Sequence, residues 1–588
     1  MSKTHKFDNK ELIVIFKEVL AAMEVKEFNY FRIRAYQNVI AVIEGLTVSV
    51  FNLWENNRLA EIPGVGETIK GALDELFTTG KVTEFEAIKH DLPQGMFELI
   101  GIRGIGAKKA YKLAKAFRIK SREEAFVRIK KAAKEEKIRE LDGFGEKSEK
   151  LILEAVSNHK KTKKEKERTL LVKAEVIADR VISYLKMHPE ISDAIVLGSY
   201  RRRAPTVGDL DIAIQTTNPE VAIKHYEKYE EVEEILVSGD KRASAVLAND
   251  FQVDIRICEE KYFGSMLQYF TGSKAHNIVL RTHALEKGCS LSEYGIKKKK
   301  ELNEFATEEE FYEFLGLSWV PPEIRQGKNE VQLAAKKKIP KLIELGDIKG
   351  ELHTHTIASG DGVNTLKEMV EAATNKGYEY IGISDHAPSI QSRGYDEVAE
   401  IIKNAKETIN KLNKAQDKIK VFYGYEVNIL ADATISLPDE LLKELDYAIG
   451  GVHGAFNQDR EKMTKRLIAA CENPYINIIA HPAGRLINER ESCDIEWSKV
   501  FAAAKENGTI IEINAHPNRL DLAEDLVPRA VGLGINLMIN TDAHATDQLN
   551  YMKYGIDVAR RGWCEAKDIA NTKDLEAFLL TLDKSSLR

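Results

Sequence analysis

The 588-residue sequence predicts a multidomain protein with an all-α N-terminal part, an α+β unit in the middle and an α/β unit at the C-terminal end. Residues 10 to 160 carry apolar residues at spacings of three and four, as in ELIVIFKEVLAAM, with few strand signals. Between about 166 and 258, runs such as DLDIAI and FQVDIRI alternate as strands do. From Gly350 onward, apolar strands such as INIIAHP alternate with amphipathic helices, which indicates a parallel sheet or a barrel.

The composition is that of an ordinary globular protein, with 43% hydrophobic and 30% charged residues. No apolar stretch is long enough to span a bilayer, and residues 1 to 9 lack the apolar core of a secretion signal, so we expect a cytoplasmic protein. The five cysteines form no Cys-x-x-Cys pair, which argues against a zinc ribbon or a disulfide framework. The net charge is +4 up to residue 340 and −10 beyond it, so charge alone supports nucleic-acid binding only weakly.

Two segments have the composition of connections. The charged run KKTKKEKER, 160 to 168, indicates a solvated linker or helix face. The segment SWVPPEIRQGKNE, 318 to 330, has paired prolines and little periodicity, which is typical of a tether.

Three short loops in the helical part share a Gly-apolar-Gly pattern, each before a predicted helix. Glycine permits a tight turn that exposes backbone amides at a helix start, where a phosphate can be bound. A single loop of this kind is an ordinary helix–helix turn, but three together favour contact with the DNA backbone, which carries no base sequence. The glycines are Gly64, Gly66, Gly104, Gly106, Gly143 and Gly145.

The segment GSYRRRAPTVGDLDIAI, 198 to 214, places Asp209 and Asp211 two residues apart in a strand pattern, so both carboxylates face the same side. The strand FQVDIRI places Asp254 and Arg256 on one face in the same way. Three converging carboxylates suit a pair of Mg²⁺ ions that activate a 3′ hydroxyl and hold leaving phosphates. A lone Asp-x-Asp is often a solvated strand edge, but the Gly-Ser turn and triple arginine upstream provide donors for a triphosphate.

These motifs resemble the family X DNA polymerases, the polymerase beta-like nucleotidyltransferases, over roughly residues 10 to 318, including YFTGSKAHNIVLR at 269 to 281. The resemblance implies Mg²⁺ or Mn²⁺ bound by Asp209, Asp211 and Asp254, with Asp254 near the attacking hydroxyl. It implies contacts with the triphosphate, sugar or nascent base pair by a further set of residues. They are Ser199, Arg202, Gly208, Tyr269, Phe270, Gly272, Asn277 and Arg281.

One position departs from the family pattern. The helix after the first hairpin carries a lysine in polymerase beta, where it forms a Schiff base with an abasic sugar, but the aligned residue here is Ala72. Lys70 is two residues away on a different helix face. We therefore do not expect a 5′-deoxyribose-phosphate lyase of that kind, because its lysine amine must be correctly aimed.

Histidines and carboxylates end several of the C-terminal strands, as in ELHTHT, SDH, GVH, AHP and TDAH. The carboxyl ends of barrel strands meet at one face, so these residues can share a metal cluster. Imidazole mixed with carboxylate suits Zn²⁺, Mn²⁺ or Fe²⁺. This part resembles the polymerase-and-histidinol-phosphatase (PHP) family over about 347 to 575, which implies nine ligands for three metals. They are His353, His355, Asp361, His386, Glu426, His453, His481, Asp542 and His544.

His516, in INAHP, also ends a strand but matches no ligand position of the PHP family, so we expect it to be structural or to support a ligand.

Together the resemblances imply six segments. They are helix-hairpin-helix domains at 1–88 and 89–165, a nucleotidyltransferase palm at 166–258, a nascent-base-pair subdomain at 259–318, a linker at 319–346 and a distorted TIM-like PHP barrel at 347–588.

The implied function is filling of short gaps in base excision repair, with a PHP 3′-5′ exonuclease. Abasic-site endonuclease and 3′ phosphatase are alternatives for the PHP activity. The expected partners are gapped or nicked duplex DNA and dNTPs, with no membrane, for a monomer associated with the nucleoid. The rival hypotheses are a DNA-end-binding scaffold whose only enzyme is the PHP domain, and a small-molecule phosphatase with a tethering front end.

Overall fold

The computed structural model describes residues 5–584, except 45–48, 56, 63, 101–104, 123, 147, 151 and 154–167. The chain divides after residue 167 into two compact units. Gly104 and most of the charged run at 160–168 lie outside the described residues. Within those ranges, no helix has the length and apolar character needed to cross a membrane.

The first unit is helical, as the periodicity predicts. Its first helix starts from a capping box in which Asp8 and Glu11 bond each other's backbone. Apolar faces of the helices form one core that includes Leu12, Phe16 and Phe77. Its helices with described bounds are α1 Asn9–Val25, α2 Tyr30–Glu44, α3 Val50–Glu55, α4 Glu67–Thr79, α5 Thr83–Lys89, α6 Gly95–Leu99, α7 Ala107–Ala116 and α8 Ala125–Lys134.

The second unit begins with the palm, an α+β domain around a five-stranded sheet. Its elements are β1 Thr169–Leu170, α9 Leu171–Lys186, β2 Asp193–Val196, α10 Gly198–Arg201, β3 Thr206–Val207, β4 Leu210–Gln215, α11 Pro219–Glu227, β5 Val232–Ser238, β6 Arg242–Leu247 and β7 Gln252–Cys258. The sheet has the strand order β2-β4-β7-β6-β5. Strands β4 and β7 are parallel, and the other neighbouring pairs are antiparallel.

Two helices and a three-stranded antiparallel sheet follow, with a short helical connection to the barrel. Val320, Ile324 and Val331, in the segment predicted as a linker, are buried in the hydrophobic core of this part. The elements are α12 Glu260–Thr271, α13 Lys274–Glu286, β8 Cys289–Ser292, β9 Gly295–Lys298, β10 Glu301–Asn303, α14 Glu308–Phe314 and α15 Glu330–Ala335.

The C-terminal part is a seven-stranded, all-parallel sheet in sequence order, which confirms the predicted TIM-like barrel class. A parallel bridge between Thr354 and Ala543 connects the carboxyl ends of the first and last strands, so the sheet curves nearly closed. The strands are β11 Gly350–Glu351, β12 Tyr380–Ile383, β13 Lys420–Asn428, β14 Tyr447–Gly451, β15 Ile478–Ile479, β16 Ile510–Asn514 and β17 Leu537–Asn540.

Helices connect the barrel strands and cover the sheet. They are α16 Leu366–Asn375, α17 Ile390–Arg393, α18 Tyr395–Ala415, α19 Asp439–Leu442, α20 Arg460–Glu472, α21 Trp497–Asn507, α22 Val527–Gly532, α23 Met552–Arg561 and α24 Leu575–Leu582. Short 3-10 turns lie at Leu59–Glu61, Pro322–Ile324, Leu345–Asp347, Ile357–Ser359, Thr546–Tyr551, Ala566–Asp568 and Ala570–Thr572. Buried apolar residues of the palm and of the barrel belong to one continuous cluster, so these two parts share a core.

Candidate functional site

The three palm carboxylates lie on two neighbouring strands. The register of β4 and β7 sets Asp211 directly opposite Asp254, and Asp209 immediately precedes β4. Burial, followed by the negative charge of Asp209, raises the pKa of Asp211 to about 6; Asp254 adds to this effect and Arg256 opposes it. Carboxylates that destabilise one another's charge are stabilised by a cation, and an all-oxygen donor set suits Mg²⁺.

Ser244 and Gln252 bind one of these carboxylates, a role that the sequence did not indicate. Asp254 accepts hydrogen bonds from Ser244 Oγ on β6 and from Gln252 Nε2 at 3.0 Å. Asp211 instead faces Arg256, whose Nε lies 3.5 Å from Asp211 Oδ1. In the described part of the chain, metal-ligand atoms lie within 4.8 Å of one another in groups of three or more only in the barrel, so the palm carboxylates are spaced more widely.

The loop after β2 approaches the carboxylates closely. Gly198 has φ +61°, and a Cβ there would lie 3.4 Å from Asp211 Oδ2, so glycine permits both the turn and the approach. Ser199 Oγ accepts a hydrogen bond from Arg168 Nη2 at 3.5 Å, and a Cβ on Gly208 would lie 3.0 Å from Arg168 Nη1. The predicted triphosphate residues are therefore near the carboxylates and beside an arginine that the sequence analysis did not select.

Arg202 is surrounded by other cations. Its Nη1 donates to the carbonyl of Thr271 at the end of α12. Burial, followed by the positive charges of Arg561, Arg168 and Arg325, lowers the pKa of Arg202 to about 9. A buried guanidinium whose charged form is destabilised by neighbouring guanidinium groups would be stabilised by a bound polyanion.

Aromatic and amide side chains follow at α12 and α13. The Tyr269 and Phe270 rings are in edge contact at 5.0 Å, and the Arg281 guanidinium lies 5.3 Å from the Tyr269 ring centre. Asn277 Nδ2 donates to the Tyr269 carbonyl at 2.8 Å. Gly272 ends α12 with φ +66°, a conformation that favours glycine. The residues that resemble a nascent-base-pair pocket thus lie at one helix junction.

The glycine loops of the first unit have a common local structure. Gly66 and Gly106 are the N-cap residues of α4 and α7, and Gly64 and Gly143 both have φ +84°. Ile105 and Phe144, between the glycines, are buried, whereas the described glycines that flank them, including Gly145, are exposed. Each loop is anchored by an apolar side chain and exposes backbone, as phosphate contact requires.

The nine residues predicted as barrel ligands meet at the carboxyl ends of the strands. Three groups have ligand atoms within 4.8 Å of one another: the first is His355, Asp361, His386 and His544; the second is His353, His355 and Asp542; the third is His386, Glu426 and His453. His481 Nε2 lies 2.8 Å from Glu426 Oε1 and thereby joins the third group.

Glu426 is at the centre of this cluster and is 2% exposed. Its Oε1 lies 3.0 Å from His453 Nε2, and its Oε2 lies 3.1 Å from His386 Nδ1. Asp361 Oδ2 is 3.2 Å from both His386 and His544. Shared residues link the three groups, an arrangement that suits carboxylate-bridged metals.

The electrostatics of the cluster favour a cation. Burial alone would raise the pKa of Glu426 and of Asp542, but the surrounding histidines hold both well below their ordinary values. Burial opposes protonation of His353, yet Glu512, Asp542 and Glu426 raise its pKa well above the ordinary value. Nε2 of His353 and Nε2 of His355 are buried without a hydrogen bond and lie 3.3 Å from Asp542 Oδ1. These unpaired nitrogens fit metal ligands.

Residues behind the cluster orient the histidines. Glu512 Oε1 lies 2.7 Å from His353 Nδ1, Asn428 Oδ1 lies 2.6 Å from His453 Nδ1, and Ser359 Oγ lies 3.1 Å from His355 Nδ1. Such contacts fix which ring nitrogen faces the metal. The sequence analysis missed Glu512, although a glutamate within the apolar strand TIIEIN was a usable signal. His516 belongs to none of the three groups and packs edge-on against Tyr551.

The fold and the two sites define a polymerase beta-like nucleotidyltransferase joined to a PHP phosphoesterase barrel. Family models match in the same order: a helix-hairpin-helix domain at 7–82, a SAM-like helix-hairpin-helix tandem at 96–158, the DNA polymerase beta palm at 172–281 and thumb at 266–326, and a PHP domain at 351–516.

Similarity to one relative extends over nearly the whole chain. DNA polymerase/3′-5′ exonuclease PolX of Bacillus subtilis is 35% identical over 578 residues, which cover 97% of this chain and 99% of the relative. Barrel residues also match proteins named probable phosphatase from Thermoanaerobacter sp. and Caldanaerobacter subterraneus. The Thermoanaerobacter protein is 30% identical over 38% of this chain and 89% of its own length. The Caldanaerobacter protein is 33% identical over 33% of this chain and 75% of its own length. The chain belongs to the family X DNA polymerases that carry a PHP domain.

Proposed function

We propose that this polymerase fills short gaps in duplex DNA during base excision repair, with Asp209, Asp211 and Asp254 as its catalytic carboxylates. The observation that carries the assignment is the parallel pairing of β4 and β7, which puts Asp211 opposite Asp254. The chain also combines DNA-binding helix-hairpin-helix models with the palm and thumb, so DNA and dNTPs are its substrates.

In this proposal Asp209, Asp211 and Asp254 would hold two Mg²⁺ or Mn²⁺ ions, which would supply activation of the 3′ hydroxyl and neutralisation of the leaving phosphates. Asp254 orients the primer terminus, and its bonds with Ser244 and Gln252 restrict the carboxylate to one position. Arg256, whose Nε lies 3.5 Å from Asp211 Oδ1, partly offsets the negative charge of that carboxylate.

The dNTP is held at three points. Ser199, Arg202 and the backbone around Gly208 bind the triphosphate, supported by the group of arginines around Arg202. Tyr269 and Phe270, at the Gly272 turn, lie against the sugar and exclude a 2′ hydroxyl. Asn277 and Arg281 contact the nascent base pair; the Asn277 amide is already oriented by the Tyr269 carbonyl.

At the barrel, we propose metal-dependent removal of nucleotides from the 3′ end. The nine clustered residues would hold Mn²⁺, Zn²⁺ or Fe²⁺ ions, which would supply a hydroxide nucleophile and stabilise charge on the phosphate. Similarity to a protein named as a 3′-5′ exonuclease favours this activity, and similarity to probable phosphatases favours a 3′ phosphatase as the second candidate. An abasic-site endonuclease would use the same cluster.

The helix-hairpin-helix loops provide contacts with DNA that are independent of base sequence, which suits a repair enzyme at gaps and nicks. We propose that the exposed Gly64, Gly66, Gly106, Gly143 and Gly145 backbones bind phosphates and that the protein acts as a monomer at chromosomal DNA. Position 72 carries a buried alanine, so it has no amine for attack on an abasic sugar.

A one-nucleotide-gapped, end-labelled duplex with Mn²⁺, with and without dNTPs, tests both sites. We expect Asp209→Ala and Asp254→Ala to lose extension and keep primer shortening, and His353→Ala to lose shortening and keep extension. Normal extension by Asp254→Ala would contradict the polymerase assignment. Failure of the unaltered protein to extend, with DNA binding retained, would favour the scaffold hypothesis with the PHP domain as the only enzyme.

A further inference from the structure

One helix of the barrel contacts the loop that carries the proposed triphosphate residues. Helix α23 meets the segment 198–204 through Asp557 and Arg561, which contact two consecutive residues of that segment, Arg203 and Arg202. We propose that α23 is a positioning element of the polymerase site, through which the PHP barrel holds the triphosphate loop in its binding conformation. This inference rests on the proposed role of Arg202.

Arg203 is the first point of attachment. Its Nη2 lies 2.6 Å from Glu175 on α9, and its Nε donates to Asp557 Oδ2 at 2.8 Å. The guanidinium is thus bound by one carboxylate of the palm and one of the barrel, and its side chain is only 20% exposed. Partly buried, hydrogen-bonded ion pairs of this kind fix geometry more firmly than exposed pairs.

Arg203 has a left-handed backbone at the end of α10. Its φ is +53°, in the left-handed region that residues with a Cβ rarely adopt. The C-terminal turn of α10 supports this conformation, because Arg203 N donates to the Tyr200 carbonyl at 2.9 Å and Ala204 N donates to the Ser199 carbonyl at 3.0 Å. Because Arg203 follows Arg202 directly, relaxation of this backbone would move the residue proposed to bind the triphosphate.

Arg561 is the second point of attachment. Its Nη1 donates to the Arg202 carbonyl at 2.8 Å, while Nη2 pairs with Glu524 at 3.1 Å. Its own carbonyl accepts from Gln326 Nε2 at 2.9 Å, so its position is fixed on both sides. Arg202 is therefore held at its carbonyl by the barrel and at its guanidinium by the Thr271 carbonyl.

Helix α23 contacts the loop at Arg202, a proposed triphosphate residue, and at its neighbour Arg203, and it also contacts Glu175 through Lys553. Arg561 also brings a positive charge near Arg202, which the triphosphate of a bound dNTP would offset. The barrel thus contributes both geometry and electrostatic potential to the dNTP site.

The test uses the full chain and measures KM for dNTP and kcat on a one-nucleotide gap. We expect Asp557→Asn and Arg561→Lys each to raise KM about tenfold, with a smaller change in kcat, as for the loss of other supporting contacts. Asp557→Glu, which keeps the carboxylate, should recover most of the loss. DNA affinity and barrel hydrolysis of bis(p-nitrophenyl) phosphate should stay unchanged.

Lys553→Ala is the matched control, because Lys553 is also on α23 and also pairs with Glu175, at 2.7 Å, but does not contact the loop. It should leave KM for dNTP unchanged. Circular dichroism and thermal unfolding identify any variant that fails to fold. The comparison is then made among the α23 variants that do fold.

Arg202→Ala separates the two proposals. If it raises KM while every folded α23 variant keeps the KM of the unaltered protein, the positioning role is wrong and the triphosphate assignment stands. If Arg202→Ala itself leaves KM unchanged, the triphosphate assignment fails. A rise in KM for Lys553→Ala equal to that for Asp557→Asn would also overturn the positioning role, because it would reflect general loosening of the interface.

Discussion

Replacement of Glu512 by glutamine tests how the barrel prepares its histidines for metal. Glu512 is fully buried, and each of its oxygens receives two hydrogen bonds. Oε1 lies 2.7 Å from His353 Nδ1 and 3.0 Å from Asn540 Nδ2. Oε2 accepts from the His481 backbone at 2.8 Å and from Asn514 Nδ2 at 3.1 Å.

A glutamine of the same shape can satisfy only half of these donors. If its amide nitrogen faces the His481 N–H, two buried donors oppose it. If the nitrogen faces His353, the ring must accept at Nδ1 and carry its proton on Nε2, the nitrogen that points into the metal cluster. The second orientation leaves fewer buried donors unsatisfied and therefore destabilises the fold less, but it removes a metal ligand.

The expected magnitude follows from these losses. Loss of a residue that orients a metal ligand lowers metal affinity by about 10- to 100-fold, equivalent to about 1.4 to 2.7 kcal/mol. The donor left without an acceptor costs a further 1 to 3 kcal/mol or so of stability.

The assay is a Mn²⁺ titration of primer shortening by Glu512→Gln, together with the metal content of the purified protein. Half-maximal activity should require about 10 to 100 times more Mn²⁺, while gap filling by the palm stays unchanged. Exposed Glu506, on α21, provides the control Glu506→Gln, which should behave like the unaltered protein. An unchanged Mn²⁺ requirement for Glu512→Gln would refute the argument that this carboxylate sets the state of His353.

Three further predictions concern the polymerase half. Because the pKa of Asp211 is raised to about 6, Mg²⁺ binding should release a proton near pH 5.5 to 6, and Mg²⁺ affinity should weaken as pH falls further. Calorimetry in buffers of different ionisation enthalpy measures both the proton release and the affinity. A pH-independent affinity would contradict the prediction. Gly198→Ala should lower kcat/KM for gap filling at least tenfold or so, because a Cβ strains a φ of +61° beside Asp211; activity within twofold or so of the unaltered protein would contradict this. Glu308 lies 2.7 Å from both Arg201 and fully buried Arg325, and these guanidiniums, against the opposing effect of burial, lower its pKa to about 2. Its stabilising effect is therefore complete above pH 4.5 and lost as pH falls toward 2, so Glu308→Gln should destabilise the second unit by about 3 kcal/mol at pH 7, and the difference in Tm from the unaltered protein should shrink below pH 4.5.

The order of domains and the family could be predicted from sequence because they depend on local patterns and ordered motifs. The switch from helical spacing to strand alternation near residue 166 is a local property of the chain, and the palm begins there. Alternation in DLDIAI was enough to put Asp209 and Asp211 on one strand face, and alternation in FQVDIRI did the same for Asp254 and Arg256. The family models and the Bacillus relative confirm the resulting assignment to family X with a PHP domain.

The metal cluster was only partly predictable. A histidine at the end of a predicted strand can be recognised in the sequence. Because barrel strands present their carboxyl ends at one face, such histidines can be assigned to one cluster. Asp361 lies in a loop after the first strand, so no periodicity selects it, and it was inferred only from the family resemblance. The structure brings it within 3.2 Å of His386 and His544. Glu512 was missed because a pattern predicts burial of a position but does not identify its hydrogen-bond partner.

The sequence by itself determined which side chains face each side of a strand, where helices begin and which ordered motifs the chain contains, since these follow from backbone periodicity and from the residues of each short segment. Only the tertiary structure decided which distant residues pair: Arg203 with Asp557, Arg561 with the Arg202 carbonyl, and Glu512 with His353. Ion pairs and buried hydrogen bonds depend on distances of about 3 Å between groups that are far apart in sequence, and packing of the whole fold sets those distances.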